Sequence, residues 1–403
     1  MRLLSSLSLF SIALPLAAAA LDPSTMTNHL AAGAPLLGAF EQSTSNLSSW
    51  MSSLSDSTPI QNLSIPGTHD TLTWNVSGIA SIFTKTQDMP LFRQLDAGAR
   101  FIDLRIGENN GLIQLYHASF LLDPTAQLVD VFWGLYHWLD AHPTETVIVS
   151  VKVDTGNTTA TLEQAIYDLV TGPDAVDYWV QSTTLPTLGQ ARHKAILLRR
   201  FAFTLLPTAT PVGIDASSGW SDNNATFTIP YGTGSDAIYI EDLYDINGTS
   251  VADVINNKFA AVSAHLDVAT STTYPNQLFI TFVSGSSGTA VTPLGLAEGN
   301  GTTTPGANLK TLSYLAGKKG SRFGVVLFDY IGSDSRLVPA TLSQPVDLSA
   351  APRSVSAPTA TGTTGTTSTR PPSSNWASSG LALPHQAVAL VVGVTFATML
   401  SFF

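Results

Sequence analysis

The chain has 403 residues, no cysteine and a formal net charge of −11. Lack of cysteine excludes disulfides, thiolate metal sites and a cysteine nucleophile, so stability must come from an extensive core. The excess of acid argues against nucleic acid as a partner.

The first residues carry one arginine, an apolar stretch and small residues before Leu21, the pattern of a secretory signal over Met1–Ala20; a membrane anchor is the alternative. Residues 21–58 are rich in Ser, Thr, Ala and Leu and form a helical or loose lead-in. Residues 59–345 then alternate between apolar strands and helical stretches. Strands are expected at Ile60–Ile65, Arg100–Arg105, Gly111–His117, Val147–Val153, Ala195–Arg200, Ile238–Leu243, Leu278–Val283 and Phe323–Asp329. Helices are expected over Ala126–Ala141, Thr161–Val170, Val251–Ala269 and Ala307–Lys319. The nearly continuous apolar run at Val147–Val151 suits a strand covered on both faces. Residues 346–378 are rich in Ser, Thr and Pro and read as a disordered linker. Residues 379–403, small residues, a short spacer and an uncharged apolar tail, match a glycosylphosphatidylinositol (GPI) attachment signal; a transmembrane helix is the alternative. Asn46, Asn62, Asn75, Asn157, Asn224, Asn247 and Asn300 each begin an Asn-x-Ser/Thr sequon, as suits a secreted, extracellular protein anchored at the cell surface.

Strand–helix alternation of this length gives an α/β fold, either a (β/α) barrel or a doubly wound sheet. The polar residues favour the barrel. Arg105, Lys152, Arg200, Asp242 with Tyr244, and Asp329 fall at or near the carboxyl ends of different strands, and in a barrel that end is the active face.

Two histidines bracket an arginine: His69 in Ile65–Asp70, Arg105 in Asp103–Arg105, and His117 after Tyr116. This is the equipment for cleaving a phosphodiester without a metal, with one histidine as base, the other as acid, and the guanidinium on the phosphate. Each residue also has a bland reading. His69 lies in a Pro-Gly turn whose Thr68 and Asp70 can bond locally, and Asp103 and Arg105, two apart on a strand, can be a structural ion pair. Lys152 and Asp154 share a face at the end of an apolar run, where a lysine needs an anion or water. His29, His137, His142, His193, His265 and His385 join no motif and are expected at the surface or in packing. No His-x-His or His-Glu-x-x-His occurs, and Arg105 supplies positive charge where a metal-dependent site needs an open ligand position; no metal and no cofactor are expected.

From about Ile60 to Ile331 the chain resembles the phosphatidylinositol-specific phospholipase C X-domain family, in its small, secreted, metal-independent bacterial form. The resemblance rests on Ile65-Pro66-Gly67-Thr68-His69-Asp70, on Ala99 to Arg105, on Lys194 to Phe201, on Ile240-Glu241-Asp242-Leu243-Tyr244 and on Gly324 to Ile331. Leu278 to Phe282 with Ser286 to Ala290 adds to it. It implies a single distorted TIM-type (β/α) barrel and an enzyme that cleaves phosphatidylinositol or GPI. It implies His69 as general base, Asp329 as its orienting carboxylate, Arg105 with Asp103 at the phosphate, His117 as general acid and Asp70 as that acid's support. Lys152, Arg200, Asp242 and Tyr244 would bind the inositol ring; the family pattern favours Arg200 over Arg199. Trp74, Ile79, Ile82 and Phe83 would form a small membrane-touching helix, or simply pack in the core. A metal-dependent glycerophosphodiester or sphingomyelin-type phosphodiesterase, and a non-catalytic lipid- or glycan-binding protein, are the alternatives. The expected partners are the lipid substrate and a membrane surface, with the protein a monomer.

Overall fold

The computed structural model describes residues 21–355, except 44, 207–209, 233 and 301–302. The described residues fall within one compact unit. The expected leader, the apolar tail and most of the linker lie outside the described residues.

Eleven strands are described: β1 (Ile65–Thr68), β2 (Phe101–Asn109), β3 (Leu112–His117), β4 (Phe120–Leu121), β5 (Thr146–Thr155), β6 (Lys194–Arg199), β7 (Ile214–Asp215), β8 (Asn224–Pro230), β9 (Ala237–Asp242), β10 (Leu278–Phe282) and β11 (Val325–Phe328). They form one sheet in the order β7-β6-β5-β2-β1-β11-β10-β9-β8, with β3 and β4 attached beside β2. Neighbours from β7 to β9 run parallel, while β8 and β3 are antiparallel to their partners. The connecting helices include Leu128–Ala141, Ala160–Thr171, Val251–Thr270 and Ala307–Gly317.

The sheet curls because alternate residues serve two cores. Ile65, Phe101, Ile148, Ile196, Ile240, Ile280 and Leu327, from seven strands, meet in one interior cluster. Their neighbours Ile102, Val149 and Leu197 face the other way, onto helices Leu128–Ala141 and Ala160–Thr171, and Val326 and Phe328 pack under helices Val251–Thr270 and Ala307–Gly317. A strand buried on both faces must be apolar at nearly every position, and β5 and β11 are. The result is a TIM-barrel-like α/β fold with one irregularity. Among the described residues no backbone pairing joins β7 to β8, yet Ile214 of β7 and Ile229 of β8 share the interior cluster. Side chains, not a hydrogen-bond ladder, bridge this seam.

The first strand differs from expectation. Ile60–Asn62 is a 3-10 turn after Pro59, and β1 starts at Ile65, where the expected strand ends. The apolar residues Ile60 and Leu63 are buried from a turn, three residues apart, so an apolar run alone did not specify a strand. Pro66 sits inside β1 without disrupting it, since its carbonyl accepts from the Arg100 N–H at 2.8 Å. Gly67 is required by close approach: a Cβ there would stand 2.9 Å from Phe101 Cβ and 3.0 Å from Phe101 O. Gly67→Ala should therefore cost about 1–3 kcal/mol through overpacking, read as a lowered denaturation midpoint with unchanged slope.

The lead-in is part of the folded unit. Helix Pro23–Leu37 is capped by Asp22, whose carboxylate accepts from the Thr25 N–H at 2.7 Å, and Leu36 and Leu37 join the core beside helix Leu128–Ala141. His29, expected to be incidental, lies 2.7 Å from Asp130 Oδ1 and stacks on Trp133. The fully buried Arg100 donates to Ser48 O at 2.8 Å and pairs with Glu145 at 2.8 Å. At the other end, residues 346–355, assigned by composition to a linker, are bonded to the body: Val355 N–H donates to Gly332 O and Ser335 N–H to Arg353 O, both at 2.8 Å. Polar composition did not reveal these backbone partners. No helix of the described residues is long and apolar enough to cross a membrane.

Candidate active site

The carboxyl ends of β1, β2, β3, β5 and β11 converge. His69 follows β1 directly, and Asp329 follows β11, the strand paired with β1. Their side chains meet, with His69 Nδ1 2.8 Å from Asp329 Oδ1. A carboxylate accepts only, so it takes the ring N–H at Nδ1 and leaves Nε2 as the basic nitrogen. Gln87 fixes the turn from beneath, its Nε2 donating to His69 O at 2.8 Å and Phe328 O at 2.9 Å.

Asp70 is the centre of the site. Its Oδ2 lies 3.4 Å from His69 Nε2 and 3.1 Å from His117 Nδ1, and its Oδ1 lies 3.1 Å from Arg105 Nε. One buried carboxylate thus touches both histidines and the guanidinium. His117 Nδ1 faces Asp70 at ion-pair distance without a hydrogen bond among the described residues.

Arg105 is held by carboxylates on all sides. Its Nε donates to Asp103 Oδ2 at 2.9 Å and its Nη1 to Asp154 Oδ1 at 3.3 Å. Asp103 is itself fixed by Ser150 Oγ–H at 3.1 Å and bonds through its own N–H to Thr71 Oγ1 at 2.8 Å. Asp154 pairs with Lys152 at 2.8 Å and accepts the Ala118 N–H, beside His117, at 2.9 Å. In sequence, Asp154 stands out only for sharing a face with Lys152; its bonds to Arg105 and to the His117 turn make it a further member of the site. Period-two alternation from Lys152 is the available signal, but the partners come from other strands.

His69, Asp70 and Asp103 offer ligand atoms within 4.8 Å of one another, close enough to hold a cation. Arg105 Nε stands 2.9 Å from Asp103 and 3.1 Å from Asp70, so a guanidinium takes the cation's place between the two carboxylates. The donor set therefore does not fit a metal while Arg105 is seated there.

The other ring-binding candidates lie alongside. Arg200 rather than Arg199 faces this cluster: its Nη1 is 3.9 Å from Asp103 Oδ1 and its Nη2 3.6 Å from Asp242 Oδ2. Arg199 turns away, to Val212 O, Phe201 O and Asp215. Arg200 Nε and Nη1 are buried and, among the described residues, have no hydrogen-bond acceptor. Unsatisfied buried donors of this kind are rare and call for a partner such as water, an ion or a ligand. Tyr244 stands on the same rim, its hydroxyl donating to Asp222 at 2.6 Å.

Electrostatics follow from burial and pairing. Burial lowers the His69 pKa, but Asp70 and Asp329 overcome that and raise it to about 9. Asp103 is disfavoured by burial yet pulled down to about 2 by Arg105 and Arg200. Asp154 is lowered below the usual carboxylate range, since Arg105 and Lys152 outweigh its burial. Burial, then the Arg105 charge, push Lys152 down. Three residues beside the site hold left-handed backbone: Asp70 at φ 41°, Ala118 at φ 50° and Tyr330 at φ 50°. Such conformations cost non-glycine residues energy and concentrate at functional sites.

The expected membrane-touching segment forms a helical turn at Ser81–Thr84. Ile79 is 68% exposed and Ile82 49%, which is not core packing.

Two histidines and a guanidinium thus meet at one carboxylate, at the carboxyl mouth of a TIM-like barrel. Residues 58–201 match the family described as phosphatidylinositol-specific phospholipase C, X domain. A 1-phosphatidylinositol phosphodiesterase of Staphylococcus aureus (strain Newman) is 28% identical over 256 residues, 59% of this chain and 75% of that protein. One from Listeria monocytogenes is 36% identical over 157 residues, 37% of this chain and 47% of its relative. A solved S. aureus phosphatidylinositol-specific phospholipase C structure covers 74% of this chain and 98% of its own, at a TM-score of 0.62 and 21% identity. Over residues 58–201 the chain is similar to the phosphatidylinositol-specific phospholipase C X-domain family. The matched family segment includes His69 through Arg200 but not Asp242, Tyr244 or Asp329.

Proposed function

We propose that this protein is a phosphatidylinositol-specific phospholipase C that cleaves its substrate by intramolecular attack. The single observation that carries this is the shared Asp70 carboxylate, 3.4 Å from His69 and 3.1 Å from His117. His69 Nε2 takes the proton from the inositol 2-hydroxyl, whose oxygen bonds to the neighbouring phosphorus. The phosphorus–oxygen bond to diacylglycerol breaks, and the leaving oxygen takes a proton from His117 Nε2. The products are a cyclic inositol phosphate and diacylglycerol. Arg105 neutralises the phosphate oxygens, and the attacking hydroxyl is already tethered near phosphorus. Lys152, Arg200, Asp242 and Tyr244 hold the ring.

Purified protein incubated with phosphatidylinositol and excess chelator should release cyclic inositol phosphate, followed by phosphorus NMR. No product from the native protein overturns the proposal, and product lost only on chelation favours the metal-dependent alternative.

The substrate is phosphatidylinositol or a GPI-type lipid, reached at a membrane surface with the exposed Ile79 and Ile82 as contact residues. The leader and tail patterns support secretion and GPI anchorage. Glycans on the rim sequons would oppose flat docking and favour protruding or monomeric substrate. Asn75 is expected to stay unmodified, because its Nδ2 donates to Pro35 O at 3.0 Å. Asn157 and Asn247 are exposed. Peptide mass spectrometry of the secreted protein should find glycan at these two and not at Asn75.

A further inference from the structure

The ladder between β1 and β11 ends at Thr68 and Phe328, so His69 and Asp329 stand one residue beyond it. A single backbone bond follows, His69 N–H to Phe328 O at 3.2 Å. The two chains then turn through left-handed residues, Asp70 at φ 41° and Tyr330 at φ 50°. The sheet alone therefore leaves open how the imidazole meets its carboxylate. A short strap, Lys85–Asp88, closes that gap, though nothing in its residue types marks it in the sequence. The Gln87 carboxamide donates through Nε2 to both chains, to His69 O at 2.8 Å and Phe328 O at 2.9 Å. The Thr86 hydroxyl lies 3.2 Å from His69 O and 3.1 Å from Asp70 O, and the Thr86 carbonyl accepts the Tyr330 N–H at 2.6 Å. The Tyr330 hydroxyl donates to Lys85 O at 2.7 Å, and Asp88 Oδ1 accepts the Gly332 N–H at 3.1 Å.

Every one of these bonds ends on a main-chain atom, so the strap sets where the two turns lie. Left-handed backbone at a non-glycine residue persists only where its surroundings over-determine it. Here Thr86 bonds both strained residues, Asp70 through its carbonyl and Tyr330 through its N–H. Thr86 and Gln87 are buried. An apolar side chain in place of Gln87 would leave carbonyls short of a donor where water cannot supply one.

We infer that Gln87, with Thr86, is a positioning residue for proton transfer at His69, holding the His69 and Asp329 turns in hydrogen-bond register. This rests on the phospholipase reading above. The strap acts through the His69–Asp329 pair and takes no part in bond making. The charged groups around His69 are Asp70 of its own turn, Asp329 after β11 and Arg105 of β2, with His117 at the end of β3 reached through Asp70. Gln87 is neutral, so its replacement leaves these charges in place and changes only how closely Asp329 is held. Burial opposes the imidazolium, and Asp70 and Asp329 favour it; a looser Asp329 contact must lower the His69 pKa.

The test is a double-mutant cycle on phosphatidylinositol with an NMR titration of the His69 imidazole. Gln87→Met keeps the length of the side chain and removes its donors. It should lower kcat by about 10–10²-fold, as a slight misplacement of a reacting group can do, with KM changed far less. In Gln87→Met/Asp329→Asn the loss should be close to that of Asp329→Asn alone, because the partner that Gln87 positions is already gone. The His69 pKa read by NMR should fall in Gln87→Met. Multiplicative losses, or an unmoved His69 pKa, would overturn the inference. If Gln87→Met does not fold, Thr86→Val goes through the same cycle and decides by the same two readouts. A native protein that cleaves no phosphatidylinositol refutes the phospholipase reading alone; the titration needs no substrate and still decides for or against the strap.

Discussion

His69→Ala and His117→Ala should each lower kcat on phosphatidylinositol by about 10²–10⁴-fold, the usual contribution of a positioned acid or base, with KM changed far less. The two variants should differ in a second way. Removing the acid matters less when the leaving group is a good one, because a weakly basic leaving oxygen needs no proton. On a p-nitrophenyl inositol phosphodiester, His117→Ala should therefore regain most of its lost activity and His69→Ala should regain little. If both variants respond alike to the leaving group, the base and acid assignments fail. Circular dichroism of each variant distinguishes this from misfolding.

The second large effect is a displaced pH profile in Asp329→Asn. The native His69 pKa is raised to about 9; burial opposes the shift, and the Asp70 and Asp329 charges produce it. Protonated His69 is no base and the acid must still hold its proton, so kcat/KM of the native enzyme should be bell-shaped in pH, with the His69 ionisation setting one limb. Asp329→Asn removes one of the two charges that favour the cation. The His69 pKa then falls, and the limb that it sets should move to lower pH. The rate at the maximum should fall as well, because the amide can present its NH₂ to Nδ1 and leave the proton on Nε2, the wrong nitrogen for the base; up to about 10⁴-fold is expected from the analogous orienting carboxylate of serine proteases. A pH–rate profile from 5 to 10 checks both. A limb that stays in place, or moves upward, contradicts the pairing at 2.8 Å as the source of the shift.

Much of this site is legible in the chain because its residues stand at strand ends. His69, Arg105, Lys152, Arg200, Asp242 and Asp329 each close or follow an apolar run, and a parallel strand order carries all of those ends to one mouth. The strands themselves are legible where burial on both faces makes them continuous, as in β5 and β11. What cannot be read is anything set by a partner distant in sequence. Ile60 and Leu63 look like strand residues and are buried from a 3-10 turn. β8 carries polar residues at alternate positions and, among the described residues, pairs with β9 alone, so no apolar run announces it. Trp220 lies in a serine-, glycine- and asparagine-rich stretch, and its partners Arg200 and Asp242 come from two other strands. The same holds for Asp154, whose contacts reach Arg105 on β2 and Ala118 after β3.

The pairing of β1 with β11 joins Ile65 to Val325, and it has a consequence for the timing of activity. Domains acquire structure as the chain is made, amino end first, at about 5–20 residues per second. By the time His69, Arg105 and His117 have left the ribosome, the carboxylate that orients the base is still some two hundred residues from being synthesised. The strand that carries it must then insert between β1 and β10, both already present, to complete the sheet. A nascent or truncated chain thus holds the phosphate-binding half of the machinery and lacks the oriented base.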